Sequence, residues 1–309
     1  MSLKSLLRSR PVIYEIVPPR RDNSRFNTEL RGVDDVLHDS RIAAINIPEL
    51  VNRRKDQGRA HYSPATIPPE EYAMMIKDYK ESIVNIIAPR LAKDEFLSRA
   101  RKILNDYKIP NLVLVGKERR DDVLPGPDVV EALHLLRHEK SEHVALGGIC
   151  IFNRLSPASA EYPNTDGKLA ESQRILTKAS AGCDFVTSQI AFDARSALDF
   201  LRAYHGLCEK SNASPLTVFI SLATIPTPSI LALVERLDVP VPMKTKARLL
   251  GNDDMGEESL KVATEVFQEI MSGAESEGVD VPLGLQVEQI GVYNDKLSLR
   301  LLDNLYPLL

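Results

Sequence analysis

Val12-Ile13-Tyr14-Glu15-Ile16-Val17, closed by Pro18-Pro19-Arg20, decides the reading of this chain. The β-branched and aromatic residues of the run suit a buried strand. The prolines cannot continue a sheet ladder, so they end it and leave Glu15 near the strand's carboxyl end. An ionisable acid inside an otherwise apolar strand is costly to bury without a partner, and that cost asks for a chemical reason. In parallel α/β proteins, active sites are built at the carboxyl ends of the strands.

Working outward, seven more runs of this kind follow: Ala43–Pro48, Ile83–Ala88, Asn111–Val115, His143–Phe152, Phe185–Ile190, Thr217–Leu222 and Gly284–Ile290. Amphipathic stretches alternate with them. Apolar residues at three- and four-residue spacing predict helices over Pro69–Lys80, Lys93–Lys108, Pro127–Leu136, Leu169–Ala181, Arg195–Glu209, Glu257–Ala274 and Leu297–Leu309. The first of these opens Pro-Glu-Glu, with acids at the positive end of the helix dipole. Eight strands, each followed by a helix, in 309 residues predict a (β/α)8 TIM barrel as a single domain over 1–309. The competing architecture is a doubly wound open sheet, but no GxGxxG follows the first strand. Irregular stretches are expected over Glu49–Pro68, Gly116–Gly126, Asn153–Lys168 and Pro240–Met255, three of them directly after a strand.

Composition narrows the function classes. Net charge is −4 with acids and bases interleaved, so no basic field points to nucleic acid. Tryptophan is absent and aromatics are 6%, which leaves no base-stacking platform. Cys150, Cys183 and Cys208 lie far apart and form no CxxC, as expected of reduced cysteines in a cytoplasmic protein. The first ten residues are too short and too charged for a signal peptide, and no apolar run reaches membrane-spanning length.

In a barrel the polar residues at the strand ends gather around one mouth. In order these are Glu15, Asn46 with Glu49, Arg90, Lys117, Asn153 with Arg154, Gln189, Thr224 and Glu288. Each has a plain alternative as a solvated strand end. Glu15 and Glu288 belong together, because the first and last strands of a closed barrel are neighbours. Two nearby carboxylates would raise one pKa and supply a proton donor, unless an arginine or lysine neutralises one of them. No metal site is expected. His134 and His138 are four apart but on a helix outside the barrel, and there is no HxH or HExxH.

Two longer motifs resemble the methylenetetrahydrofolate reductase family. Tyr14-Glu15-Ile16-Val17-Pro18-Pro19-Arg20 is similar to that family's opening aromatic-Glu-apolar-apolar-Pro-Pro strand. The run from Lys178 to Asp193, with Ala181-Gly182 and Thr187-Ser188-Gln189, resembles its lysine, alanine-glycine and threonine-glutamine stretch. Leu112–Gly116 falls where the family has a leucine-arginine-glycine-aspartate turn. The resemblance implies a (β/α)8 barrel that passes hydride from NADH or NADPH, through FAD, to 5,10-methylenetetrahydrofolate. It implies Glu15 as the acid, Gln189 as the folate contact, and Glu171 and Lys178 toward the flavin. From their places at the strand ends, Asn46 and Glu288 are expected toward the folate, and Arg90, Gly116, Lys117 and Arg154 toward the cofactor.

The departures from the family pattern shape the functional alternatives. Lys117 stands where the family has an aspartate, Arg90 where a histidine is expected, and Ile151–Leu155 replaces the pieces after strand five. Two cations at the mouth suit an anionic ligand, or else pair with Glu15, Glu49 or Glu288. Three functions therefore compete. The first is a folate-dependent oxidoreductase of one-carbon metabolism. The second is a non-catalytic folate- or flavin-binding subunit of a larger assembly, and the third is a barrel enzyme with Lys117 as an amine nucleophile. A homo-oligomer or a partner subunit is left open.

Overall fold

The computed structural model describes residues 2–20, 33–56, 59–64, 66–117, 122–139, 141–152, 167–290 and 295–309, with backbone alone for 52–56, 59–64, 167, 168 and 295. The eight strands of the main sheet are β1 (Val12–Glu15), β2 (Ile42–Ile47), β5 (Glu81–Ile87), β6 (Asn111–Val115), β7 (Ala145–Cys150), β8 (Phe185–Ile190), β9 (Thr217–Ala223) and β10 (Leu283–Glu288). They form a closed ring in the order β1-β10-β9-β8-β7-β6-β5-β2. This is the (β/α)8 barrel, and closure excludes the open doubly wound sheet.

β3 (Val51–Asp56) and β4 (Arg59–Pro64) form a separate antiparallel ribbon that pairs Arg53 with Tyr62 and Lys55 with Ala60. The ribbon occupies much of the expected irregular stretch after β2. Its first strand is charged almost throughout, so it lacks the apolar alternation by which a half-buried strand is recognised.

The helices are α1 (Leu3–Leu6), α2 (Asp34–His38), α3 (Pro69–Ile76), α4 (Lys93–Arg101), α5 (Val129–Leu136), α6 (Gly167–Ala181), α7 (Ala194–Ser211), α8 (Pro228–Arg236), α9 (Met243–Leu250), α10 (Met255–Ser276) and α11 (Asp295–Leu305). The chain winds on from α4 into one π-helical turn, Lys102–Asp106. α8 and α9 were not among the expected helices, and α9 fills part of the stretch expected to be irregular. Both are short, and proline opens each, at the first helical residue of α8 and at the N-cap of α9. Among the described residues, no helix is long and apolar enough to cross a membrane.

Contacts divide the chain into two compact units. One comprises Met1–Leu7, Ile13–Ile149 and Lys178–Phe185; the other comprises Arg8–Val12, Cys150–Thr177 and Val186–Leu309.

In the first unit, α1 is tied beneath the amino ends of the strands. The Leu3 N–H donates to the Glu81 carboxylate at 2.7 Å, and Lys4 Nζ donates to the carbonyls of Ser141 and Val144 at 2.8 and 2.7 Å. The facing of the strands follows from two adjacent glycines. A side chain on Gly148 would meet Lys178 of α6, so that face looks out toward the helices. A methyl on Gly147 would strike the Phe185 ring at 2.5 Å and Val113 at 2.9 Å, so that face looks inward. Parallel register then carries the inward face along the sheet. Gly147 pairs with Val113, Val113 with Asn85, and Asn46 with Ile83. Asn46 and Asn85 therefore share the inward face.

In the second unit, β9 and β10 pair Phe219 with Gly284, Ser221 with Gln286 and Ala223 with Glu288. The Phe219 ring lies over Gly284, where a methyl would come within 2.7 Å. Leu283, Leu285 and Val287 are buried on the other face of β10, the strand that packs against α11. The polar residues Gln286 and Glu288 are left on the inward face.

Candidate functional site

Glu15 ends β1, partly buried. Its carboxylate accepts a 2.9 Å hydrogen bond from Nδ2 of Asn46, at the end of β2. The two strands are also joined by their backbones, with the Ile16 N–H donating to the Asn46 carbonyl at 3.0 Å. Asn46 is 1% exposed, and its Oδ1 has no hydrogen-bond partner among the described residues. Asn85 is 6% exposed, and its Oδ1 is likewise without a partner. Buried acceptors left open in this way are unusual in folded proteins and invite a donor from outside the chain. The corner thus offers a carboxylate and two amide oxygens, a surface suited to an N–H-rich ligand edge. Asn85 was absent from the expected residues. Its signal is the one that marked Glu15: a lone polar residue in the apolar run Ile83–Ile87.

On the second unit, Gln286 and Glu288 stand two apart on one face of β10, and Gln286 Nε2 donates to a Glu288 oxygen at 3.1 Å. Burial pushes the Glu288 carboxyl up to about 7, against the pull of hydrogen bonds from Ser221 and Gln286. Part of its surface stays accessible, but protein encloses it, and the enclosure governs the charge. The raised pKa was expected from a second carboxylate; its leading cause is burial. No cation pairs with Glu288 among the described residues. Gln189, on β8, has a buried Oε1 with no partner among the described residues.

The cationic residues assigned to a cofactor are placed differently. Arg90 meets Glu49 at 3.3 Å, the pairing alternative raised by the sequence. Glu49 also binds Arg99 at 2.7 Å and accepts the Ile87 N–H at 2.7 Å, while Arg99 holds Glu70 through both guanidinium arms. Burial alone would lower the Arg99 guanidinium, but the Glu70 and Glu49 carboxylates more than reverse this. Glu171 accepts the Ile151 N–H at 3.0 Å and pairs with Arg174 at 2.6 Å. Lys178 Nζ donates to the Ile149 carbonyl at 2.5 Å. Glu49, Glu171 and Lys178 bring charges to the backbone at or near the carboxyl ends of β5 and β7, and Arg90 supports Glu49 there. Through these contacts Arg90, Glu171 and Lys178 brace the strand ends. Lys117 is exposed beyond β6. Among the described residues, a side chain at Gly116 would meet Val129 alone, at 3.4 Å, an ordinary contact. Arg154 lies outside the described residues.

Three buried, unbridged cysteines complete the titratable groups singled out by the sequence, and no His/Cys/Asp/Glu group suited to a metal is found among the described residues.

By its closed parallel ring the chain belongs to the (β/α)8 barrel class of folds, with uncommitted polar groups at the carboxyl ends of its strands. No protein-family profile and no curated protein sequence matches it. Among solved structures it is similar to an uncharacterized protein from Clostridium thermocellum that binds two copies of 5-methyl-5,6,7,8-tetrahydrofolic acid. The match covers 99% of each chain, with a TM-score of 0.77 and 22% identity. At that identity the likeness shows the fold. The Bacillus cereus spore cortex-lytic enzyme SleL matches over 94% of this chain and 73% of its own, with a TM-score of 0.49 and 10% identity.

Proposed function

We propose that this chain binds a reduced folate by its pterin ring at the Glu15–Asn46–Asn85 corner, and that it acts as a methylenetetrahydrofolate reductase-like oxidoreductase. The observation that carries the reading is the Glu15 carboxylate held by the Asn46 amide, beside two buried amide oxygens with no partner among the described residues. A pterin presents an exocyclic amine and ring N–H groups along one edge, the donors this corner lacks. The strand motif around Glu15 and the folate bound by the Clostridium thermocellum protein support the same ligand.

In the reaction, Glu15 gives its proton to N10 of 5,10-methylenetetrahydrofolate as the bond from N10 to the methylene carbon breaks. The resulting N5 iminium carbon takes a hydride from NADH or NADPH, giving 5-methyltetrahydrofolate and the oxidised nicotinamide, and Glu15 regains its proton from solvent. Asn46 fixes the carboxyl at its end of the strand, so the proton is delivered at one position. FAD would supply the hydride relay if bound; three of the residues assigned to it, Arg90, Glu171 and Lys178, make contacts within the protein, and no step is routed through it.

A second reading, a folate-binding subunit without turnover, is favoured by one observation: Arg90, Glu171 and Lys178 are committed to Glu49, Arg174 and the main chain. The deciding experiment measures 5-methyltetrahydrofolate binding by calorimetry, and NADH or NADPH oxidation with methylenetetrahydrofolate, with and without added FAD. Binding with turnover that is lost in Glu15→Gln supports the enzyme. Binding without turnover supports the subunit. No binding overturns both.

A further inference from the structure

We propose that Glu49 is a positioning residue of the candidate site: its carboxylate ties the end of β5 to the segment that leaves β2, and so sets the spacing of the Asn46 and Asn85 amide oxygens. The identity of the ligand that reads this spacing rests on the folate reading. Every residue of the tie belongs to the first compact unit.

The β2–β5 ladder runs from Ala44 opposite Glu81 to Ile47 opposite Val84, and stops there. Asn46 lies inside it, opposite Ile83, and Asn85 follows its last pair by one residue. From Asn85 to Ile87, β5 pairs through its other edge, with Val113, Leu114 and Val115 of β6. The ladder thus ends between the two amides, and their separation depends on what holds β5 beyond it. Backbone N–H groups at such a place need an acceptor. Glu49 supplies one: its carboxylate accepts the Ile87 N–H at 2.7 Å, where a further strand carbonyl would otherwise serve. Asn85 is two residues before Ile87 on the same face. Asn46 is three residues before Glu49, with Pro48 stiffening the chain between them.

The carboxylate is itself pinned. Oε2 takes the Ile87 N–H, while Oε1 meets Arg99 at 2.7 Å and Arg90 at 3.3 Å. Arg99, on α4, also holds both oxygens of Glu70, on α3, at 2.8 and 2.7 Å. With both oxygens engaged, the carboxyl cannot turn without breaking a charge-assisted bond, the stronger kind. A ligand edge that meets both amide oxygens requires them at one separation, so the tie acts on binding through Asn46 and Asn85.

Two variants separate the tie from the ion pairs. Arg99→Met removes one guanidinium and leaves the carboxylate on Ile87 with Arg90 beside it. Glu49→Leu removes tie and ion pairs together. The first measurement needs no ligand: nitrogen-15 spectra of the asparagine side-chain amides. The Asn46 and Asn85 signals should move in Glu49→Leu and hold in Arg99→Met. Signals that move alike in both variants, or in neither, overturn the proposal.

The second measurement is calorimetry with 5-methyltetrahydrofolate. Affinity should fall about tenfold in Glu49→Leu and stay within about twofold in Arg99→Met, although both variants lose stability. Equal affinities in the two variants overturn the proposal. Should Glu49→Leu fail to fold, hydrogen exchange in the wild type decides: saturating 5-methyltetrahydrofolate should slow exchange of the Ile87 amide about tenfold, and unaltered exchange overturns the role. A wild type that binds no 5-methyltetrahydrofolate, with asparagine signals that still follow Glu49, sinks the folate reading and leaves the positioning role standing.

Discussion

The carboxylates at the strand ends divide into two kinds. Glu49 and Glu171 face arginines: Glu49 is gripped by Arg90 and Arg99, and Glu171 by Arg174, and each also accepts a backbone N–H at a strand end, from Ile87 and Ile151. Glu15 and Glu288 lie on the inward face, where each accepts a hydrogen bond from a side-chain amide, Asn46 and Gln286 respectively. An acid held by a guanidinium is fixed in charge and serves to hold a loop. An amide partner adds no charge, so it does not favour the ionised form as strongly as a guanidinium does. The partner, more than the acid itself, separates scaffold from chemistry.

Four variants would break or sharpen that contrast, in order of expected effect. Glu15→Gln should cut turnover by about 10²–10⁴-fold in a steady-state assay while leaving the thermal midpoint nearly unchanged. A large loss of stability instead would place Glu15 with the braces. Arg99→Met should do the opposite. It leaves Glu49 and Glu70 without their shared cation, at a cost of about 3–5 kcal/mol in urea unfolding. If the variant is as stable as the parent, the Glu49 cluster holds nothing together.

Glu288→Gln tests the sign of a buried acid. With a folded pKa near 7 and an ordinary value near 4.5, the native state keeps this proton where the unfolded chain has lost it. The wild type therefore loses stability as pH rises from about 4.5 to about 7, by at most about 3 kcal/mol. Glu288→Gln escapes that loss and gains on the parent over the same window, as denaturant melts at several pH values would show. Parallel stability curves would contradict the raised pKa. Last, Glu171→Gln keeps the shape but loses the charge facing Arg174, and should cost about 1–3 kcal/mol with folate binding unaffected. A loss of binding without a loss of stability would return Glu171 to the ligand.

The barrel was legible because its strands are short apolar runs separated by amphipathic helices, and that alternation is a local property of the chain. Glu15 was legible for the same reason, as a charge in a greasy strand ended by prolines. Asn85 carries the same local mark, one polar side chain in the run Ile83–Ile87, yet the more conspicuous charge of Arg90, a few residues on, draws the eye first. The β3–β4 ribbon and helix α9 were illegible because the first has almost no apolar period and the second is too short and too basic for a dependable one.

By itself, then, the sequence determined the order of the elements, the class of the fold and which strand ends carry acids, since all three follow from the spacing of apolar residues along the chain. Only the tertiary structure decided which acid meets an arginine and which meets an amide. Arg90 and Lys178 read alike as candidate cofactor cations, yet one is spent on Glu49 and the other on a backbone carbonyl. The energy of an ionisable group depends on burial and on partners within a few ångströms, and residues far apart in sequence supply those partners.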